Sequence, residues 1–398
     1  MASTPEWLFA CAVFWVTGFL FATSLFALDI DLTASVSGLM QLLVPSYRGR
    51  RRRSRLNATS RGDEAYAKVD AMVLNTLPPK TEWMNMGFWL RDSDDSSSGD
   101  ISYPEACENL GRQLYRASGL QLDPLLPPKD DLAILDIGHG SGDSLLLLLE
   151  AARPKTLHGV TLSEAEALRA RSRLSQSVLQ SKGSFQDVAV HQGDAIEFMR
   201  KGAAASDQGG KTDVKQQYDY IFALDCAFHF APPRSSFFQS AYERLKPGGK
   251  LALYDMCVST PYPAVGSESP WFTEDPRLPR PSKSHVTKVQ KLKLWFFSLM
   301  VSVPFSNLLS FSDYRVQVEE AGFQETQVRD ISHAVFPGFS HFLHNFAQQK
   351  GAASWRAGAG GWSMRTALGA FAGFVADWAK GGDDGLLRGA IIVATKPH

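Results

Sequence analysis

Ile134-Leu-Asp-Ile-Gly-His-Gly-Ser-Gly-Asp-Ser144 decides how the rest of the chain is read: an apolar strand runs into three glycines spaced two apart, and a Leu-rich helix follows. Glycine adopts backbone angles closed to other residues and lets a ligand approach the main chain, so Gly138, Gly140 and Gly142 mark a ligand-cradling turn at the end of a strand. Asp136 stands two residues before the first glycine. The dinucleotide fingerprint needs its third glycine three places after the second, where this chain has Asp143, which argues against nicotinamide binding.

Outward from this turn, strands and helices alternate. Leu132–Ile137 leads into a helix over 144–152, Thr156–Leu162 into a helix over 164–180, and Val188–Gln192 into a short helix from Ala195. Tyr218-Asp-Tyr-Ile-Phe-Ala-Leu-Asp225 is a further apolar strand, with His229 just beyond its end, and Lys250–Asp255 follows the turn Leu245-Lys-Pro-Gly-Gly249. Alternation of this kind predicts a parallel sheet, closed by an antiparallel pair formed from Phe323–Ile331 and Leu387–Thr395. Ligands of open α/β sheets sit beyond the carboxyl ends of the strands, which is where Asp225, His229 and Asp255 fall.

The G-x-G-x-G turn after an acid, followed in order by Gly159-Val-Thr-Leu-Ser163 and Leu245-Lys-Pro-Gly-Gly249, resembles the class I S-adenosylmethionine-dependent methyltransferases, in particular the tocopherol, sterol and cyclopropane-synthase-like small-molecule types. The resemblance covers roughly residues 80–258 and implies a Rossmann-like α/β fold: a seven-stranded, mostly parallel sheet with an antiparallel last strand, a helical cap and insertions. It implies S-adenosylmethionine as cofactor. Asp136, Gly138, Gly140 and Gly142 then cradle its methionine end, and Asp194 accepts the adenine amino group. Most of the class ends the second strand in an acid for the ribose hydroxyls. Here Thr161 and Leu162 stand there, and Glu166 occupies the place where the similar subset has glutamine. Asp225 joins the cofactor set. Asn85-Met-Gly-Phe-Trp89 resembles a stretch ahead of the first motif in small-molecule members, which implies that Asn85 and Trp89 close over cofactor and substrate.

Methyl transfer from a sulfonium is an in-line displacement in which the enzyme positions two partners and, for a hydroxyl acceptor, removes a proton. His229 and Asp255 are the expected catalytic pair, Asp255 orienting the imidazole. Leu292–Pro304, with Trp295, is either a lid wall of a greasy substrate pocket or an interfacial segment, and both point to an apolar acceptor.

The chain has 398 residues, enough for one catalytic domain with appendages, and its 41 basic and 41 acidic residues leave no global field for nucleic acid. Four cysteines form no C-x-x-C pair, and the histidines between 333 and 346 lack carboxylate or thiol companions at ligand spacing, so no metal is expected. From Trp7 to Leu28 no residue is charged, and a helix of that length would span a bilayer. Arg48, Arg50–Arg53 and Arg55 follow, so the expectation is a single-pass anchor with the catalytic part facing the cytosol, the endoplasmic reticulum being a plausible host. The domain reading is an anchor over 1–30, an interfacial and basic linker over 31–62, a helical cap over 63–130, the cofactor-binding core over 131–258, an apolar insertion over 259–310 and the end of the sheet over 311–398. The functional expectation is a membrane-anchored methyltransferase acting on a sterol, terpenoid, prenylquinol or polyketide. A noncatalytic cofactor-binding scaffold is the alternative, and a Rossmann oxidoreductase a third.

Overall fold

The computed structural model describes residues 81–91, 101–123, 125, 129, 131–180, 187–201, 216–231, 233–263, 271–348 and 359–398. The chain divides into Met1–Arg61 and Gly62–His398, and the first unit lies outside the described residues. So do Trp7–Leu28 and the arginine cluster. Among the described residues no helix is long and apolar enough to cross a membrane, and the expected single-pass, cytosol-facing placement is corrected accordingly.

An extended strap over 81–91 precedes α1 (Tyr103–Ala117). This helix starts at a reciprocal cap, Ser102 accepting from the Glu105 backbone while Glu105 reaches back to Ser102. It buries Ala106, Cys107, Leu110 and Leu114 on one face. Then come β1 (Ala133–Ile137), α2 (Asp143–Ala151), β2 (Thr156–Thr161), α3 (Glu164–Gln180), β3 (Asp187–Gln192), α4 (Ala195–Lys201), β4 (Tyr218–Leu224), α5 (Arg234–Arg244) and β5 (Leu245–Val258). The two-residue β6 (Phe272–Thr273), α6 (Lys288–Met300), α7 (Phe311–Glu320), β7 (Gln324–Asp330), α8 (Ser332–Gln348), α9 (Ala359–Lys380) and β8 (Leu387–Thr395) complete the chain.

The strands form one sheet in the order β3-β2-β1-β4-β5-β8-β7-β6. From β3 to β5 every pairing is parallel, whereas β8 runs antiparallel to both β5 and β7. The expected seven strands are all present. The eighth, β6, is a minimal edge strand that the Pro-rich insertion lays parallel to β7. A second difference concerns Leu245-Lys-Pro-Gly-Gly249. Leu245 pairs with Tyr218 and Lys250 with Tyr220, so this turn is a bulge carried within a longer β5.

Each sheet face covers a separate core. Leu110, Leu145, Leu148, Phe222, Phe336, Phe339 and Trp378 belong to one, and Ile221, Leu253, Phe237, Phe238, Phe311 and Tyr314 to the other. With both faces covered, the central strands are apolar on both sides: β1 is buried at all five positions. Polar side chains are thereby concentrated at the carboxyl edge of the parallel strands.

Candidate active site

β1 runs into the glycine turn, and α2 begins at once, with Gly142 in the left-handed region as its N-cap residue. Gly138 is the tightest point: its φ is +70°, and a Cβ there would lie 2.5 Å from the Cys226 sulfur beyond β4. No other residue fits. Gly140, at φ +55°, has nothing within 4 Å of where a Cβ would stand, so its main chain is open towards an adjoining cleft.

That cleft spans about 420 Å³ with its open, solvent-filled mouth included, and is lined by Glu82, Trp83, Met84, Asn85, Asp136, Gly138, His139, Gly140, Ser141, Asp143, Ser144, Glu166 and Leu224. One wall is therefore the glycine turn and the other is the strap. Of the expected cofactor residues, Asp136, Gly138, Gly140 and Glu166 line it, and Asn85 does so from the strap. Thr161 acts one bond away, its hydroxyl donating to Glu166 at 2.7 Å, so the threonine at the end of β2 orients the acid that follows.

Asp136 is 1% exposed. Ser144 donates to its Oδ2 at 2.5 Å, while Oδ1 is buried without a hydrogen-bond partner. Desolvation pushes this carboxyl up to about 7, because burial penalises its charged form. An orphaned carboxylate oxygen beside open glycine backbone fits a ligand that carries positive charge.

The strap is fastened along its length. The Glu82 carboxylate accepts from Arg169 at 2.5 and 2.9 Å, and the Glu82 N–H donates to Asp143 Oδ2 at 3.2 Å. Burial raises the Glu82 carboxyl, but Arg169 and Arg173 outweigh it and hold it below the usual range. Arg173 forks onto Asp143 with two contacts of 2.7 Å and also donates to the Ser141 carbonyl at 2.8 Å. Asp143, in the place of a third glycine, thus joins glycine turn, α3 and strap. Farther along, Met86 N–H donates to Asp225 Oδ2 at 2.8 Å. Asn85 donates to the Cys107 carbonyl at 3.2 Å, and its own carbonyl accepts from Tyr103 at 3.0 Å.

Asp225 therefore holds the strap, and it is not among the residues lining the cleft. It sits at φ +57°, a strained value for a non-glycine residue. Its Oδ1 is buried without a partner, and burial pushes the carboxyl up to about 7. Asp194 accepts from the Glu197 N–H at 2.8 Å and so caps α4, while the Leu162 carbonyl takes Gln192 at 3.2 Å. Neither lines the cleft.

His139 has a structural reason. Its ring lies over Gly159 of β2, where a Cβ would come within 2.7 Å of the imidazole. Nδ1 lies 2.9 Å from the Gly140 carbonyl and Nε2 is buried without a partner; desolvation lowers the imidazole to about 4. It is neutral at physiological pH.

The expected His229–Asp255 pair is not formed. Asp255 is fully buried and its carboxylate is taken by Arg234, by the Tyr314 hydroxyl at 2.8 Å and by its neighbour's N–H at 3.0 Å. Arg234 opens α5 directly beside the end of β5, and a buried guanidinium claims a buried carboxylate. His229 instead bonds to the Ser302 backbone, and burial lowers its imidazole to about 4. Its ring packs 4.4 Å from Phe228.

Trp89 is committed to packing. Its indole donates to the Met86 carbonyl at 2.8 Å, and it lies against Tyr103 and Phe342. A Cβ on Gly338 would collide with it. Trp295 is half-buried on α6 and does not line the cleft. Tyr103, Phe339, Phe342, Phe346 and Phe371 continue the aromatic layer. Glu82, His139, Asp143 and Leu224 were missed from sequence, although Glu82 lies three residues from Asn85 and His139 inside the turn itself.

Residues 135–251 match the family model described as a methyltransferase domain. Over 268 residues the chain is 26% identical to erythromycin 3''-O-methyltransferase of Saccharopolyspora erythraea, covering 67% of this chain and 70% of that one. It is 24% identical over 226 residues to 27-O-demethylrifamycin SV methyltransferase of Amycolatopsis mediterranei, covering 57% and 66%. Among solved structures it resembles the cyclopropane synthase MmaA2 from Mycobacterium tuberculosis, with a TM-score of 0.52 and 15% identity over 83% of this chain and 98% of that one. A mycolic acid cyclopropane synthase complexed with SAH and CTAB gives 0.53 and 17% over 82% and 93%. Fold, glycine turn, acidic cleft and matched domain agree: the chain carries a methyltransferase domain on a Rossmann-like sheet, and it is an S-adenosylmethionine-dependent methyltransferase.

Proposed function

We propose that the enzyme transfers a methyl group to a hydroxyl of an apolar small molecule of polyketide, terpenoid, sterol or prenylquinol type. The observation that carries this reading is the aromatic layer at the far end of the strap that walls the cofactor cleft: Trp89 and Phe342 are half-buried and leave part of each ring uncovered for a greasy acceptor, with buried Tyr103 and Phe339 packed behind them. The relatives that act on erythromycin and rifamycin precursors support the same class of acceptor.

S-adenosylmethionine supplies an electrophilic methyl on a sulfonium. In this reading Gly138 and Gly140 hold the methionine end with main chain, Asp136 Oδ1 takes a donor from it, and Glu166, steadied by Thr161, takes the ribose hydroxyls. The strap excludes water from the other side. His229 is the proton acceptor for the substrate hydroxyl: it stands just beyond the end of β4, its imidazole is neutral, and its bond to the Ser302 backbone orients the ring. Asp255 shapes the edge of the site by holding Arg234 and Tyr314 in place.

The test is incubation of the protein with methyl-labelled cofactor and an organic extract of cells lacking it. Label is expected in the apolar, base-stable ether fraction, and its absence there would count against a hydroxyl on an apolar acceptor.

A further inference from the structure

Helix α6 buries one side and exposes another that ordinary packing would hide. Leu294, Phe297 and Ser298 point into the protein, at 3%, 1% and 6% exposure. On the other side Val289, Phe296 and Leu299 are 67%, 41% and 59% exposed. With half-buried Leu292 they follow the spacing i, i+3, i+7, i+10, which places all four in one row along the helix. Exposed Lys288, Lys291 and Lys293 flank that row, and the helix contains no acidic residue. At 3.6 residues per turn, Lys291 and Lys293 fall on opposite sides of the row. A globular helix turns its apolar stripe inward and its lysines outward. Here the core is supplied by one face, and a second apolar stripe, bordered by cations, faces water.

This pattern suits a helix lying in a lipid–water interface, apolar residues about 5–10 Å below the headgroups and lysines reaching up to phosphates. Its 13 residues reach about 20 Å, less than the roughly 30 Å hydrocarbon core, so the helix lies along the surface and does not cross it. Charge selects the occupant. A second copy of the chain meeting this face about a two-fold axis would set lysines against lysines, whereas an anionic bilayer neutralises them.

We propose that α6 docks the enzyme on an anionic lipid surface through Val289, Leu292, Phe296 and Leu299, with Lys288, Lys291 and Lys293 on lipid phosphates. The claim concerns this helix alone and holds whatever atom the enzyme methylates.

The test uses the full chain carrying an environment-sensitive fluorophore at Leu299→Cys, with a label at Val316→Cys on α7 as the exposed control and the unsubstituted protein as labelling blank. Because the probe reads its own surroundings, attachment through another part of the chain leaves it unmoved. Vesicles of phosphatidylcholine with phosphatidylserine should blue-shift the Leu299→Cys probe and let brominated lipid quench it, while the Val316→Cys probe stays unchanged. In the same labelled protein, Lys291→Glu with Lys293→Glu should raise the lipid concentration for half-response about tenfold or more. No blue shift with anionic vesicles, an equal shift at both positions, or a shift that grows with protein concentration in the absence of lipid would overturn the proposal, the last by showing a second copy on this face.

Discussion

His229 and Asp255 both lie at the carboxyl edge of the sheet, yet their surroundings set them apart. Asp255 is consumed by Arg234 and Tyr314, whereas His229 is a neutral ring that bonds to the Ser302 backbone. Replacing His229 by Ala should leave the cofactor dissociation constant unchanged and lower kcat about 100-fold or more, the usual scale of a lost proton acceptor; single-turnover kinetics with labelled cofactor measure this. His139 offers a second test, because its ring occupies the volume that Gly159 leaves empty. Gly159→Ala should destabilise the fold by about 1–3 kcal/mol in denaturant titrations, as overpacking does. Adding His139→Ala should recover part of that loss, because Leu145 Cδ1 would stand as close to the new methyl, at 2.7 Å. A loss that persisted in full in the double variant would show that Leu145, not the imidazole, resists the methyl group.

The strap 81–91 is the element on which the cleft depends, and it carries no regular secondary structure of its own. It is held by side chains of other elements: Arg169 and Asp143 at its start, Asp225 in its middle. An exposed ion pair contributes at most about 1 kcal/mol, but reversing its charge also repels the strap. Arg169→Glu should therefore speed cofactor release several-fold in stopped-flow measurements, and the exchange Glu82→Arg with Arg169→Glu should restore most of the original rate. The sequence singled out this stretch through Asn85, Gly87 and Trp89, and of these three Asn85 lines the cleft. It did not show what fastens it. Arg169 and Asp225 are 87 and 139 residues away from their partners, and no local spacing encodes such a meeting. For the same reason the glycine turn and the βα alternation were readable, being local, while Arg234 capturing Asp255 was not. Asp194 shows the opposite limit: an acid one residue before a helix has a local use as its cap, and the structure gives it that use.

Across the whole molecule, burial shifts two sets of groups in opposing senses. Asp136 and Asp225 are raised to about 7, chiefly by desolvation. A raised carboxyl stabilises the fold below its unfolded value of about 3.9 and loses that contribution as pH climbs to about 7. His139, His191 and His229 are lowered to about 4, again chiefly by desolvation. A lowered histidine contributes stability above about 6.5 and loses it as pH falls to about 4. The two windows overlap with opposite slopes, and three histidines outweigh two carboxyls, so these groups together should make the cofactor-free melting temperature rise with pH between about pH 4 and 6.5. Asp136→Asn should steepen that rise across the interval, and His191→Phe should flatten it; differential scanning calorimetry in a buffer series reads both slopes.

The carboxylates of Glu82, Asp136, Asp143 and Glu166 all border the cofactor cleft. Each turnover converts a sulfonium into an uncharged thioether, so the occupant loses one positive charge while the walls keep theirs. Arg169 and Arg173 already neutralise Glu82 and Asp143, so the contrast falls chiefly on Asp136, whose Oδ1 is buried without a partner. Its ionised form should favour fresh cofactor over spent, and competition between S-adenosylmethionine and S-adenosylhomocysteine should lose that preference in Asp136→Asn.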